Sequence, residues 1–299
     1  MLPEPFRKLL RAVRARRDVS VLREAAANAD AFLISFPKCG RTWLRFALSN
    51  YFASALRLPL EPDLQTTFQL LPNFDNDPVR GIPAFRFSET RPALPLVLVS
   101  HRSYDRSLIQ DRPVIFLVRD PRDVAVSAYF HATRHKHRFA GTVADFIEDD
   151  AQGLGSYLSY LNGWAEGLRN GPRHVTSYER MSADPSDELR QIVAFLERPV
   201  DEDALARAVE KSSFGAMRSK ERDTGIPGHN YDRSDDESLR MRRGKAGGYV
   251  DYLAPQDIAR VEERCRRELT PAARELLSDY DFIAPARADE AGLAFQAAR

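Results

Sequence analysis

The stretch AFLISFPKCGRTWLRFALSNY, residues 31–51, constrains the chain more than any other. AFLIS is short, apolar and uncharged, the pattern of a strand covered on both faces. Pro37, Lys38 and Gly40 then break the run with turn chemistry. Beyond them Trp43, Leu44, Ala47, Leu48 and Tyr51 recur at helical spacing. Strand, tight loop and helix in that order leave the first backbone N–H groups of the helix facing the loop, where an anion is the natural partner.

Two further apolar, β-branched runs, PLVLVSH and PVIFLVRD, each end in polar or charged residues. Parallel strands do this when a ligand sits at their carboxyl ends, so the pattern predicts an α/β fold with a ligand at one edge of the sheet. After the second run, DPRDVAVSAYFHATRH predicts a helix starting near Pro121, where the missing proline N–H costs nothing. Helices are also expected over 142–150, 156–168, 184–197, 201–211 and from Pro255 to about Asp279, with a strand near HVTSYE. Pro59 to Pro95 reads as loops and short elements around a rim, the kind of segment that contacts substrate. Trp164, Leu161 and Leu168 read as core.

With 299 residues and a formal net charge of +1, the chain has enough sequence for one large domain or two small ones and no bulk charge with which to grip nucleic acid. The expected partner is a small molecule, with no nucleic acid. The two cysteines, Cys39 and Cys265, cannot make a disulfide framework, and no Cys/His spacing fits zinc; a reducing, cytoplasmic setting is expected. His131, His135 and His137 have no carboxylates spaced to complete a metal site and read as surface. No apolar run approaches the roughly 20 residues of a membrane span. The basic opening PFRKLLRAVRARRD predicts a solvated surface helix, peripheral contact with an anionic membrane being its other use. The expected organisation is an N-terminal helical segment over 1–30, a main domain over 31–283 and a tail over 284–299. Within the main domain the polar stretch 218–248 is expected to be a flexible flap.

A Walker phosphate loop places its lysine after the last glycine, whereas here Lys38 precedes Gly40. An ordinary nucleoside triphosphatase is therefore a poor match, though the anion loop itself is intact. F-P-K-C-G-R-T-W resembles the 5′-phosphosulfate loop, Y-P-K-S-G-T-T-W, of sulfotransferases that use 3′-phosphoadenosine 5′-phosphosulfate (PAPS). The resemblance implies that Pro37, Lys38, Cys39, Gly40, Arg41, Thr42 and Trp43 bind the donor. Cys39 and Arg41 replace two hydroxyl residues, leaving the backbone amides and Lys38 to carry most of the binding.

VIFLVRDPRDVAVSAYFH is similar to the family's 3′-phosphate segment and implies that Arg119 and Ser127 hold that phosphate. RMRRGKAGGY resembles the late R-K-G-x-x-G-D-W signature and adds Arg242, Arg243 and Gly244, with Gly248 and Tyr249 in place of Asp and Trp. Tyr178 in TSYERM, and Ser212 and Phe214 in SSFGAM, resemble segments near the adenine, which Trp43 would help to enclose. The resemblance runs in order from about residue 31 to 252. It implies a three-layer α/β/α fold with a central parallel sheet, of the P-loop NTPase-like sulfotransferase type.

The family places a histidine at the end of the strand before Arg119, and VLVSH ends in His101. An imidazole suits removal of a proton from an attacking hydroxyl near neutral pH. The expected catalytic residues are thus His101 as base and Lys38 at the departing oxygen. The expected reaction moves a sulfuryl group from PAPS to the hydroxyl of a small molecule, releasing PAP (3′,5′-diphosphoadenosine), with no metal. Phe68, Phe74, Phe85, Phe87 and Tyr104 suggest an apolar or aromatic part of the acceptor. The family's usual lysine just before the histidine is not evident, and VDYLAPQDIA lacks the key residues of the usual dimer segment. Two alternatives stay open: a small-molecule kinase on a related fold, and a nucleotide-binding protein without activity.

Overall fold

The structure, a computed structural model, describes residues 19–90, 93–228, 231–236, 238–280 and 282. Most of the expected N-terminal segment, residues 1–18, and the tail over 284–299 lie outside them. In chain order the elements begin with α1 (19–28), β1 (Ala31–Ser35), α2 (Arg41–Ala55), β2 (Val97–Ser100), α3 (Arg106–Ile109) and β3 (Val114–Val118). They continue with α4 (Pro121–Phe130), α5 (Val143–Glu148), α6 (Leu154–Gly167), β4 (Arg173–Ser177), α7 (Tyr178–Ala183) and α8 (Pro185–Phe195). The series closes with α9 (Glu202–Lys211), α10 (Phe214–Thr224), α11 (Pro255–Glu268) and α12 (Pro271–Leu276). No helix among the described residues is long and apolar enough to cross a membrane.

The chain divides into two compact units, Met1–Arg119 with Asn170–Ala246, and Asp120–Arg169 with Gly247–Arg299. The first is built on a four-stranded parallel sheet in the order β2-β1-β3-β4. Every residue of β1, β2 and β3 is buried, which is why their sequences are continuous apolar runs rather than alternating ones. Registers pair Ile34 with Ser100, Ser35 with Leu117 and Val118 with Ser177. Ser35, His101, Arg119 and Tyr178 therefore emerge at or just past one edge of the sheet. The chain leaves β1 for one side and reaches β3 on the other, so this edge holds the switch point at which open α/β sheets bind ligands.

The rim segment forms short 3₁₀ turns at Thr67–Gln69, Ile82–Ala84 and Ser88–Thr90. It is tied to the sheet more closely than its sequence suggests. Val99 N–H donates to the Pro72 carbonyl and Phe74 N–H to the Val99 carbonyl, laying Asn73 beside β2. The polar stretch after Arg218 also differs from expectation, because α10 continues to Thr224 and buries Met217 and Glu221. A segment with few apolar residues is held there by polar bonds to a buried carboxylate.

In the second unit, α6 buries Tyr157, Leu161 and Trp164, in line with their reading as core. Pro121 is the first residue of α4, and the Asp120 side chain caps it by accepting from Arg122 N–H. Buried Arg264 donates to the Ile147 carbonyl and to Asp150 and Glu268, joining α11 to the end of α5.

Candidate active site

The loop between β1 and α2 departs from ordinary backbone at two residues. Lys38 has φ 77° and Gly40 has φ 97°, both in the left-handed region. A Cβ on Gly40 would fall 2.7 Å from Cδ2 of Tyr178, so only glycine lets the loop close over that ring. No side chain caps α2 and no acidic residue lies in its first turn, unlike the Asp-capped starts of α8 and α9. The positive end of a 15-residue helix is left to the loop.

Lys38 is partly buried. Burial first, then the guanidiniums of Arg240, Arg119 and Arg242, push its ammonium down to about 7, against the opposing pull of Glu221. A lysine in this state is a cation short of negative charge, and a phosphate placed beside it would restore the proton.

Arg119, just past β3, connects three parts of the first unit. Its guanidinium lies 4.0 Å from the centre of the Tyr178 ring. Nη1 donates to the Lys38 carbonyl at 3.2 Å and Nη2 to the Lys245 carbonyl at 3.4 Å. Tyr178 is buried and meets Trp43 edge-on, centroids 5.5 Å apart. Trp43 and Met241 in turn pack on the cluster of Phe46, Leu64, Met217 and Ile226. The structure thus gathers Lys38, Gly40, Trp43, Arg119, Tyr178 and the 240–245 segment.

Glu221, which sequence reasoning did not single out, is fully buried on α10. Its carboxylate accepts from the Tyr231 hydroxyl at 2.6 Å and from the backbone N–H groups of Arg240 and Met241 at 2.8 Å each. Nothing in KERDT marks this glutamate in advance, since its partners lie far along the chain. Gly244, φ 63°, lies against Phe214, and a Cβ there would meet the ring at 2.2 Å. Phe214 keeps 37% of its surface exposed. Arg242 is half-buried and Arg243 exposed. Ser212 is 2% exposed, and its hydroxyl donates to the Ala208 carbonyl at 2.7 Å, ending α9. Pro37, Arg41 and Thr42 are half-buried in the loop and first helical turn, and Cys39 is buried.

In the second unit Ser127 lies half-buried on the second turn of α4; its expected part in holding the 3′-phosphate rests on the sequence. On the same helix Asp123 accepts from Gly247 and Tyr249 N–H, 2.8 Å each, fixing the end of the late glycine motif.

At β2, His101 Nδ1 lies 2.6 Å from the Ser35 carbonyl oxygen. A carbonyl only accepts, so Nδ1 carries the hydrogen and Nε2 presents its lone pair. Burial, then the Arg41 charge, and further Arg45 and Arg240, hold the imidazole well below its usual range, with the Ser35 bond acting the other way. His101 is therefore neutral near pH 7, with its Nε2 lone pair unprotonated.

Residues 28–273 match the family model described as sulfotransferase domain. Sulfotransferase 1B1 of Mus musculus is 24% identical over 264 residues, covering 84% of this chain and 86% of that protein. Sulfotransferase 1 family member D1 of Rattus norvegicus is 26% identical over 255 residues, 79% and 82% of the two chains. Among solved structures, mouse sulfotransferase SULT7A1 complexed with PAP superposes with a TM-score of 0.59 at 22% identity, covering 87% of this chain and 94% of that one. Retinol dehydratase in complex with retinol and PAP gives 0.59 at 19% identity, covering 86% and 84%. These likenesses agree with the expected α/β class around a parallel sheet.

Proposed function

The chain belongs to the sulfotransferase domain family, and on that premise we propose that it transfers the sulfuryl group of PAPS to a hydroxyl of a small molecule at the carboxyl edge of its sheet. The observation that carries this reading is the loop after β1. A depressed lysine, an uncapped helix start and a glycine that no other residue can replace converge on one point. In this reading the loop amides and Thr42 hold the 5′-phosphate, and Arg119, Arg242, Arg243 and the Gly244 turn hold the 3′-phosphate. Trp43 and the open edge of Phe214 receive the adenine, with Tyr178 supporting the loop from beneath.

The acceptor hydroxyl attacks sulfur in line with the bond to the 5′-phosphate. His101 Nε2 takes the hydroxyl proton as the new S–O bond forms. The old S–O bond breaks, its electron pair stays on the phosphate oxygen of PAP, and the Lys38 ammonium offsets that charge. The Ser35 carbonyl fixes the tautomer that makes this possible. We place this activity in the cytoplasm, in a domain formed from residues 31–283.

Purified protein incubated with PAPS and a panel of hydroxyl compounds, read by mass spectrometry, tests the reading. Addition of one sulfate to an acceptor is expected with PAPS, and no phosphate with ATP and magnesium. Phosphate transfer instead would identify a kinase, and PAP binding without any sulfated product would identify an inactive nucleotide-binding protein. His101→Ala is expected to lower transfer by at least about 10²-fold with PAP affinity unchanged. Normal turnover in that variant removes His101 as the base.

A further inference from the structure

Arg45 sits on the second turn of α2 and is 4% exposed. Its guanidinium lies 4.5 Å from the centre of the Phe68 ring, and Nη2 donates to the Asn73 side-chain oxygen, a neutral partner. Nε is buried with no hydrogen-bond partner, and among the described residues no carboxylate lies within ion-pair distance of Arg45. Burial and the neighbouring Arg41 depress this guanidinium, and Asp75, acting from farther off, is the acidic group that opposes them. Arg41 precedes Arg45 by one helical turn on the same face, where like charges repel. Asn73 lies beside Val99, two residues before His101, so Arg45 is held at the end of β2 from which the proposed base projects.

A buried cation without a counter-ion is costly, and proteins otherwise pair or replace it. Here the charge is retained, braced by a ring and an amide, beside the group that would receive the acceptor's proton. We propose that Arg45, with Arg41, binds an anionic group of the acceptor, so that the substrate is a hydroxyl compound carrying a carboxylate or a comparable oxyanion. The inference rests on the reading of His101 as the acceptor end of the site. It adds a charge requirement to the apolar or aromatic character expected of the acceptor, with the buried Phe68 ring backing the guanidinium.

The test uses the whole protein saturated with PAP, so that the donor site is filled, and compares benzoate with benzamide as probes in thermal shift. Benzoate is expected to raise the melting temperature more than benzamide, and Arg45→Met to abolish the difference. With PAPS, 4-hydroxybenzoate is expected to exceed 4-hydroxybenzamide in kcat/KM by about tenfold or more, as a charged hydrogen bond provides. The Arg45→Met variant should remove that ratio, and Arg45→Lys should keep part of it. Equal responses to benzoate and benzamide in the unaltered protein overturn the proposal, with no need for any variant to fold. So does an Arg45→Met loss that is the same for both acceptors, which would place Arg45 on the transferred group. Failure of PAP itself to raise the melting temperature refutes the donor reading instead, which separates the two.

Discussion

The loop after β1 and the segment 231–246 both bring cations to the same neighbourhood of the first unit, yet they are built differently. The loop is a local structure. Its shape follows from two left-handed residues, a glycine closed against Tyr178 and the amides of the helix it starts. The later segment has little shape of its own. It is held by a buried carboxylate on α10 that accepts from Tyr231, Arg240 and Met241, and by Arg119 reaching the Lys245 carbonyl. A phosphate site made of adjacent residues persists wherever its own short sequence persists. One assembled by a distant latch fails when the latch does.

The two constructions separate cleanly by ligand. PAP carries both phosphates, whereas adenosine 5′-monophosphate carries only the one assigned to the loop. Lys38→Ala is expected to have the largest effect, lowering turnover on the order of 10²-fold or more, with PAP affinity falling less. Steady-state kinetics beside calorimetric titration of PAP checks this, and equal losses in both would make Lys38 a tether. Gly40→Ala forces a Cβ into the Tyr178 ring at a positive φ, which costs about 1 kcal/mol or more. It should weaken PAP and adenosine 5′-monophosphate alike by about tenfold, with a lower melting temperature.

Glu221→Ala tests the other construction. It leaves two backbone N–H groups and a tyrosine hydroxyl without their acceptor, so the segment should loosen and become open to limited proteolysis. At a pH low enough to keep Lys38 charged in the variant, PAP affinity should drop by about tenfold while that of adenosine 5′-monophosphate stays unchanged. A parallel loss of both nucleotides would show that the loop, too, depends on the latch, and the contrast between the two regions would disappear.

The smallest effect is in pH dependence. In the ligand-free protein the Lys38 pKa is lowered to about 7. A bound phosphate raises it, so binding takes up a proton once the solution is above that value. PAP affinity should thus be full below about 7 and fall as pH rises, by at most about tenfold per pH unit. Titrations across this range, repeated in Lys38→Ala, should show the dependence vanish with the lysine. Because the Glu221 charge raises the Lys38 pKa, Glu221→Gln should move the onset of the fall to lower pH.

The difference between the regions also explains what the sequence revealed. AFLIS, VLVS and VIFLV are unbroken apolar runs because their strands are covered on both faces, so the sheet could be read directly. The loop was legible for the same local reason, and His101 and Arg119 could be placed at the carboxyl end of the sheet because they follow strands immediately. Glu221, Asn73 and Arg45 gave no such signal. Each has its partners ten or more residues away in sequence, and a glutamate in a polar helix or an arginine in an amphipathic one looks like solvated surface until the fold buries it. The stretch after Arg218 looked structureless because polar bonds to one carboxylate, not an apolar face, hold much of it in place.

A crystal structure of the protein with PAP tests the central assignment most directly. The 5′-phosphate should rest on the backbone N–H groups from Cys39 to Thr42, with the Lys38 ammonium about 3 Å from one of its oxygens. A nucleotide seated elsewhere, or a Lys38 side chain turned away from the phosphate, would contradict the account.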